Sequence, residues 1–154
     1  MALRLEHRIP PPIVGAIAAA LMLGVAWLIP ALTFPVPWRM PIVAVLFGIG
    51  VAIGVIAWVH FLRARTTVNP LDPGKASALV ATGVYRFTRN PMYLGMATLL
   101  LAWAVYLSNV AALAGLALFV AYINRFQIEP EERALRARFG EAFDAYCRRV
   151  RRWI

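Results

Sequence analysis

NPMYLGMATLLLAWAVYLSNVAALAGLALFVAYIN, residues 90–124, carries no charged side chain over 35 consecutive positions. A single helix of that length would run about 50 Å, against a bilayer core of about 30 Å. The stretch therefore folds back on itself. Ser108-Asn109 is the polar pair near its middle, and the reversal is placed there. The reading predicts a helix from Pro91 to about Leu107 and a second from about Val110 to Phe126, joined as a hairpin. Each is slightly short for a full crossing, which a tilted or shallow seat accommodates. Asn90-Pro91 marks the start: Asn is a good N-cap, and Pro suits the first helical position, where its missing N–H is not needed.

The same solubility logic extends upstream. Of 154 residues, 62% are hydrophobic and 15% are charged, where a soluble domain carries about a quarter charged. Residues 9–38 hold no charge, and residues 40–62 hold only His60. These become a first helix from Ile13 to about Leu32, ended by Pro30, Pro35 and Pro37, and a second from Met40 to about Leu62. The first lacks a small-residue cleavage site and is read as a retained membrane helix. Gly48, Gly50 and Gly54 in the second permit close approach by another helix. They allow a dimer seam without requiring one. His60, one turn from that helix's end, reads as an interfacial or helix-capping residue rather than a ligand.

Residues 63–89 form a long polar loop broken by Pro70, Pro73 and Gly74. A loop of that length in so small a chain is functional or disordered, and its ordered-looking aromatic end favours function. That end, LVATGVYRFTRNPMYLG from Leu79 to Gly95, has a Thr82-Gly83 turn, two tyrosines and two arginines. Irregular polar backbone beside a membrane is tolerated where it lines a pocket.

Downstream, Leu135, Phe139, Phe143, Tyr146, Val150 and Trp153 recur at spacings of three and four. They predict one amphipathic helix over 129–154, lying on the membrane surface or beneath the bundle. Acidic residues open it and arginines close it, as the helix dipole prefers. Cys147 is the only cysteine, so no intrachain disulfide forms. Its neighbours Arg148 and Arg149 favour a thiolate, but a spectator thiol on a helix is the simpler reading.

The fold expected is all-α: an integral membrane bundle of four transmembrane helices, the third and fourth a hairpin, plus a C-terminal amphipathic cytoplasmic helix. It is read as one domain over 1–154, in three parts: helices over 1–62, loop over 63–89, and hairpin with C-terminal helix over 90–154. The net charge of +9 belongs to arginines flanking membrane segments, not to nucleic-acid binding. The loop and tail carry nearly all of them, which places both termini and the loop in the cytoplasm. The loop's end and the Glu129–Glu132 cluster thus meet on one side. No metal site is expected.

GVYRFTRNPMYLG, an uncharged hairpin, then EPEERALRARFGEAFDAYCRRVRR together resemble the isoprenylcysteine carboxyl methyltransferase family. The related phospholipid N-methyltransferases share the layout. The resemblance covers about Thr66 to the C-terminus. It implies an enzyme binding S-adenosyl-L-methionine between the loop and the last helix, without a glycine-rich dinucleotide fingerprint. By position, the cofactor contacts it implies are Ser77, Ala78, Leu79, Val80, Tyr85, Asn90, Pro91, Met92, Tyr93 and Glu131. An acid serves the ribose diol or ammonium, tyrosines pack on adenine or face the cation, and loop amides read the purine edge. Read without the resemblance, the tyrosines are interfacial aromatics, Arg86 and Arg89 are membrane anchors, and Glu131 is a helix-start charge.

Two positions depart from the prenylcysteine enzymes. Asn90 stands where they usually have His, which keeps cofactor binding but loses acid–base chemistry. Gln127 stands where an arginine binds the substrate carboxylate, and a neutral amide is a poor substitute for that cation. Arg125 or Arg89 then compensates, or the acceptor is different. The acceptor is expected to be lipophilic, a carboxylate, amine or thiol entering from the bilayer. Arg89 would orient an anionic acceptor group, and Glu129 or Glu132 would take the proton from an amine or thiol. Two other classes stay open: a small transporter, which lacks the intramembrane acid such proteins usually place, and a non-catalytic scaffold.

Overall fold

The computed structural model describes residues 6, 9–63 and 79–154. The described residues are helical between short connections: α1 (Pro11–Leu28), α2 (Arg39–Arg63), α3 (Pro91–Leu107), α4 (Leu113–Ile123), α5 (Glu129–Phe139) and α6 (Glu141–Arg149). By length and composition, Pro11–Leu28, Arg39–His60 and Val110–Phe139 can each cross a membrane, while the apolar Pro91–Leu107 is shorter.

α3 is the central helix, with α1, α2 and α4 packed on it. The α2–α3 contact is backbone on backbone. A Cβ built on Gly95 would meet the Gly50 carbonyl oxygen at 2.9 Å and the Gly54 nitrogen at 3.1 Å. Of the three glycines expected to allow close approach, Gly50 does so through its missing side chain, whereas a Cβ on Gly48 or Gly54 would face open space. On the other side of α3, Val14, Ala18 and Met22 of α1 join Tyr93, Leu100, Phe119 and Ile123 in the main core. Trp103 donates its indole N–H to the Ala19 carbonyl at 3.0 Å, tying α3 to α1.

The hairpin reverses at Ser108-Asn109, as the sequence predicts. Ser108 takes a left-handed conformation with φ 51°. The Asn109 side chain accepts from the Ala111 amide at 3.0 Å and donates to the Ile29 carbonyl at 2.9 Å. One buried amide therefore caps the returning helix and fastens the turn to the α1–α2 connection.

Three boundaries differ from expectation. α1 stops at Leu28, and Pro30–Leu32 form a separate 3-10 turn. The fourth helix does not end near Phe126: it runs on through a π-helical segment, Asn124–Ile128, directly into α5. Pro130 explains the widened segment. A proline inside a helix has no N–H to give and crowds the carbonyl four residues back, and an i→i+5 segment relieves both. The helix therefore accommodates Pro130 instead of restarting after it. The C-terminal helix, expected to be continuous, breaks at Gly140, whose φ 50° and ψ −125° no helix contains. α6 then ends at Arg149 and the chain leaves extended at Val150. Leu135, Phe139, Phe143, Tyr146 and Val150 still share one apolar cluster, but Trp153 is redirected into the main core.

Candidate active site

The loop side of the site begins at a turn. Gly83 has φ +59°, and a Cβ there would overlap the His60 imidazole at the end of α2. Glycine satisfies both demands. The turn Gly83–Arg86 buries Tyr85, whose backbone carbonyl accepts from the Tyr146 hydroxyl at 2.7 Å. Burial, then the nearby charges of Tyr146 and Glu131, raise the Tyr85 phenol above its ordinary range. The Glu131 charge thus acts on the Tyr85 phenol.

Tyr93 lies one residue beyond Met92 in the first turn of α3, and Glu131 lies in the first turn of α5. The Tyr93 hydroxyl donates to Glu131 Oε1 at 2.5 Å. This bond joins the two stretches that the sequence singles out from opposite sides of the hairpin. Desolvation pushes the Glu131 carboxyl up to about 7; the Tyr93 bond opposes that rise and the neighbouring Glu132 adds to it.

Beside this pair lies a charge latch. Arg89 Nη2 donates to Glu132 Oε1 at 2.8 Å, with 14% of each side chain exposed. Arg152 completes the clamp, donating Nη2 to Glu132 Oε2 at 2.7 Å. Arg89 Nη1 also donates to the carbonyls of Val150 at 2.7 Å and Cys147 at 3.2 Å. Burial raises the Glu132 pKa, but the hydrogen bonds from Arg152 and Arg89 prevail and hold it below the ordinary carboxylate range. Neighbouring glutamates on one helix turn are thus driven in opposite directions by their partners.

The extended tail completes the arrangement. The Arg89 amide donates to the Arg151 carbonyl at 3.0 Å, and Asn90 Nδ2 donates to the Arg152 carbonyl at 2.9 Å. Asn90 sits at the predicted N-cap position, but its side chain makes no cap bond. Its amide is spent on the tail instead. Trp153 Nε1 donates to Asn124 Oδ1 at 3.0 Å, anchoring the tail to the π-helical segment.

The remaining predicted residues divide by surroundings. Leu79 packs against Phe143, Tyr146 and Val150; Val80 and Met92 are half-buried, and Pro91 is buried. Ser77 and Ala78 lie outside the described residues. Arg125 is exposed and pairs with Glu129 at 3.1 Å. Gln127 is fully buried. Its Nε2 donates to the Ile9 carbonyl at 2.9 Å, which fixes the amide orientation and leaves Oε1 without a hydrogen-bond partner among the described residues. Burial raises the Cys147 thiol, with the Arg89 charge opposing, as suits a spectator.

Sequence reasoning missed Thr88, Asn124, Tyr146, Arg152 and Trp153 as site-forming residues. Tyr146 and Trp153 carried a signal, being on the apolar stripe, although a stripe does not say which polar atom a ring hydroxyl or indole will find. Arg152 resembled any other solvated arginine.

Comparison with known proteins fits this geometry. A family model for phospholipid methyltransferase matches residues 38–142, which includes α2, Tyr85, Tyr93, the hairpin and both Glu131 and Glu132. An uncharacterised protein of Haemophilus influenzae is 43% identical over 63 residues, covering 41% of this chain and the whole of that protein. No solved structure matches. The match spans well over half of the sequence and contains the first of the two motifs and the opening of the second, so the chain belongs to the phospholipid methyltransferase family.

Proposed function

We propose that this chain is an integral membrane methyltransferase that uses S-adenosyl-L-methionine and methylates a lipophilic acceptor. The observation that carries the proposal is the Tyr93–Glu131 bond, made between two motifs of a methyltransferase family. In this reading α1, α2, α3 and the helix from Val110 to Ile128 are four membrane spans of one domain over 1–154. Both termini and the site face the cytoplasm, on the side the arginines favour.

The residues present suit the cofactor. The Glu131 carboxyl, desolvated and raised to about 7, has no positive partner among the described residues, and the ammonium of the cofactor provides one. The rings of Tyr85 and Tyr93 offer π-faces to a cation. Backbone groups of Ser77, Ala78, Leu79 and Val80 read the adenine edge, and Asn90, Pro91 and Met92 close the site at the start of α3. When bound, the cofactor supplies an electrophilic methyl group.

The protein's own work is to bind, orient and exclude water. Arg89 and Glu132 act as positioning residues in this proposal, because their partners already hold them and they fix Glu131 from the next position. Gln127 is neutral, and its side-chain N–H is spent on the Ile9 carbonyl, so this position offers no cation to a carboxylate and a lipid amine is favoured. Glu129, paired only at the exposed edge with Arg125, is the candidate to take a proton from such an amine. Arg125 is the cation available to an anionic group of the same acceptor.

Titration calorimetry of S-adenosylmethionine and S-adenosylhomocysteine into the purified full chain tests the reading. Micromolar binding that disappears in Glu131→Ala, with the melting transition retained, is the expected result. Unchanged affinity in that variant removes Glu131 from the site.

A further inference from the structure

Two short runs of chain meet at the end of the bundle where α3 begins. The Arg89 amide binds the Arg151 carbonyl at 3.0 Å, and Thr88 Oγ1 and Asn90 Nδ2 both donate to the Arg152 carbonyl. Thr88 and Val150 turn inward and are buried. Their neighbours do the opposite. Phe87 and Ile154 are each 78% exposed, and Arg86 and Arg151 are exposed as well. Among the described residues neither arginine has an ion pair, although Arg89 and Arg152 close by are both paired with Glu132.

This rim combines two features that water disfavours together: large apolar side chains left open and cations left unpaired. A leaflet of anionic phospholipid answers both. Its phosphates and acidic headgroups meet the arginines, and the boundary with the acyl chains takes Phe87 and Ile154. Depth agrees. Phe87 stands four residues before Pro91, where the apolar α3 starts, so the rim lies at the level of the headgroups. A soluble acidic partner would have to approach through that layer.

We infer that Arg86, Phe87, Arg151 and Ile154 form a docking rim for anionic phospholipid headgroups, through which the lipid surface orders the loop and tail that frame the candidate site. The rim is separate from the residues assigned to cofactor and acceptor. Its loss would loosen the backbone pairing at Arg89 and Arg151 rather than remove a contact to a reacting group.

The test uses the full chain in nanodiscs of phosphatidylcholine and of phosphatidylglycerol and needs no cofactor, so its outcome is independent of the methyltransferase reading. An environment-sensitive fluorophore is placed at position 87 by Phe87→Cys in a Cys147→Ser background. The expected result is blue-shifted emission, quenched by lipid-borne quencher, and stronger in phosphatidylglycerol. Each of Arg86→Glu and Arg151→Glu should weaken that preference by about fivefold or more, and added salt should do the same. Water-like emission in both lipids overturns the inference, as does equal quenching in both that neither salt nor charge reversal changes. Hydrogen exchange of residues 84–90 in the unmodified chain provides a second reading: slower exchange in phosphatidylglycerol supports the rim, and identical exchange in the two lipids counts against it.

Discussion

Tyr93 and Glu131 are 38 positions apart in the chain and share a 2.5 Å hydrogen bond. The hairpin makes this possible: its two arms return to the same end, so the first turn of α3 meets the first turn of α5. Tyr93 is buried, and the carboxyl it faces has lost most of its water, which raises it to about 7 from an ordinary 4.5. The site therefore holds a carboxyl that is poised between its two protonation states near neutrality.

This poise has a measurable sign. Glu131 has a folded-state pKa above its unfolded value, so its favourable contribution is complete below about 4.5 and is lost as pH rises through about 7. That gap corresponds to about 3 kcal/mol. A cation bound against Glu131 favours the ionised form and reverses the trend. Binding of S-adenosylmethionine at about pH 6 should therefore release nearly one proton. Calorimetry in buffers of different ionisation enthalpy measures it directly. Glu131→Gln should bind more weakly and release none. An identical release in that variant would assign the proton to another group.

The latch around Glu132 predicts the opposite pH behaviour. Its folded pKa is depressed, so its contribution is present above the ordinary carboxylate pKa and is lost as acid takes the pH through the folded value. Glu132→Gln should lower stability by about 3 kcal/mol, because it leaves Arg89 buried without its counter-charge. Arg152→Ala should cost less, since Arg152 is more exposed than Arg89. Arg89→Lys should not restore the wild-type melt, because one ammonium cannot serve two carbonyls and a carboxylate in a fixed fork. Thermal melts in detergent, followed as a function of pH, rank the three. A Glu132→Gln melt matching wild type would show that the latch contributes nothing.

What the sequence made legible was governed by solubility and local chemistry. The charge-free run over 90–124 located α3 to the residue and the reversal at Ser108. The Thr82-Gly83 turn was legible because few residues but glycine tolerate that φ. The tyrosine and the glutamate that meet were both selected beforehand, but only through two motifs read together. The continuity of the helix from α4 into α5 is not legible, because a proline such as Pro130 suits either a helix start or a strained interior and the local sequence does not choose between them. The Gly140 break was hidden by an apolar period that continues across it. The partners of Arg89 were illegible: three of them are backbone carbonyls or a carboxylate more than forty positions away, and no local pattern encodes such a meeting.

The α2–α3 crossing gives a prediction that separates packing from propensity. Gly95→Ala places a methyl group 2.9 Å from the Gly50 carbonyl oxygen, where backbone has no rotamer with which to yield. The helices must part, at a cost of about 1–3 kcal/mol. Gly48→Ala adds the same methyl group on α2 where nothing lies within 4 Å, so it should be neutral or slightly stabilising through helix propensity. Melting temperatures of the two variants, measured side by side, decide the matter. Equal destabilisation would mean that the crossing is looser than these distances describe.

The tail separates anchoring from packing. Trp153→Phe keeps a ring against the core but removes the indole N–H from Asn124, and should cost about 1 kcal/mol. Ending the chain at Arg149 does much more. It removes the carbonyls of Val150, Arg151 and Arg152, which accept from Arg89 and Asn90, together with the Arg152 guanidinium that clamps Glu132. Asn90 then loses the partner that kept its side chain from capping α3, and Arg89 keeps only Cys147 and Glu132. The truncated chain should melt several degrees lower than Trp153→Phe and be cleaved faster by trypsin at Arg86 and Arg89, as local opening there becomes easier. If trypsin cuts the truncated and full chains at the same rate, these two arginines are protected by the helices alone and the tail does not hold the loop.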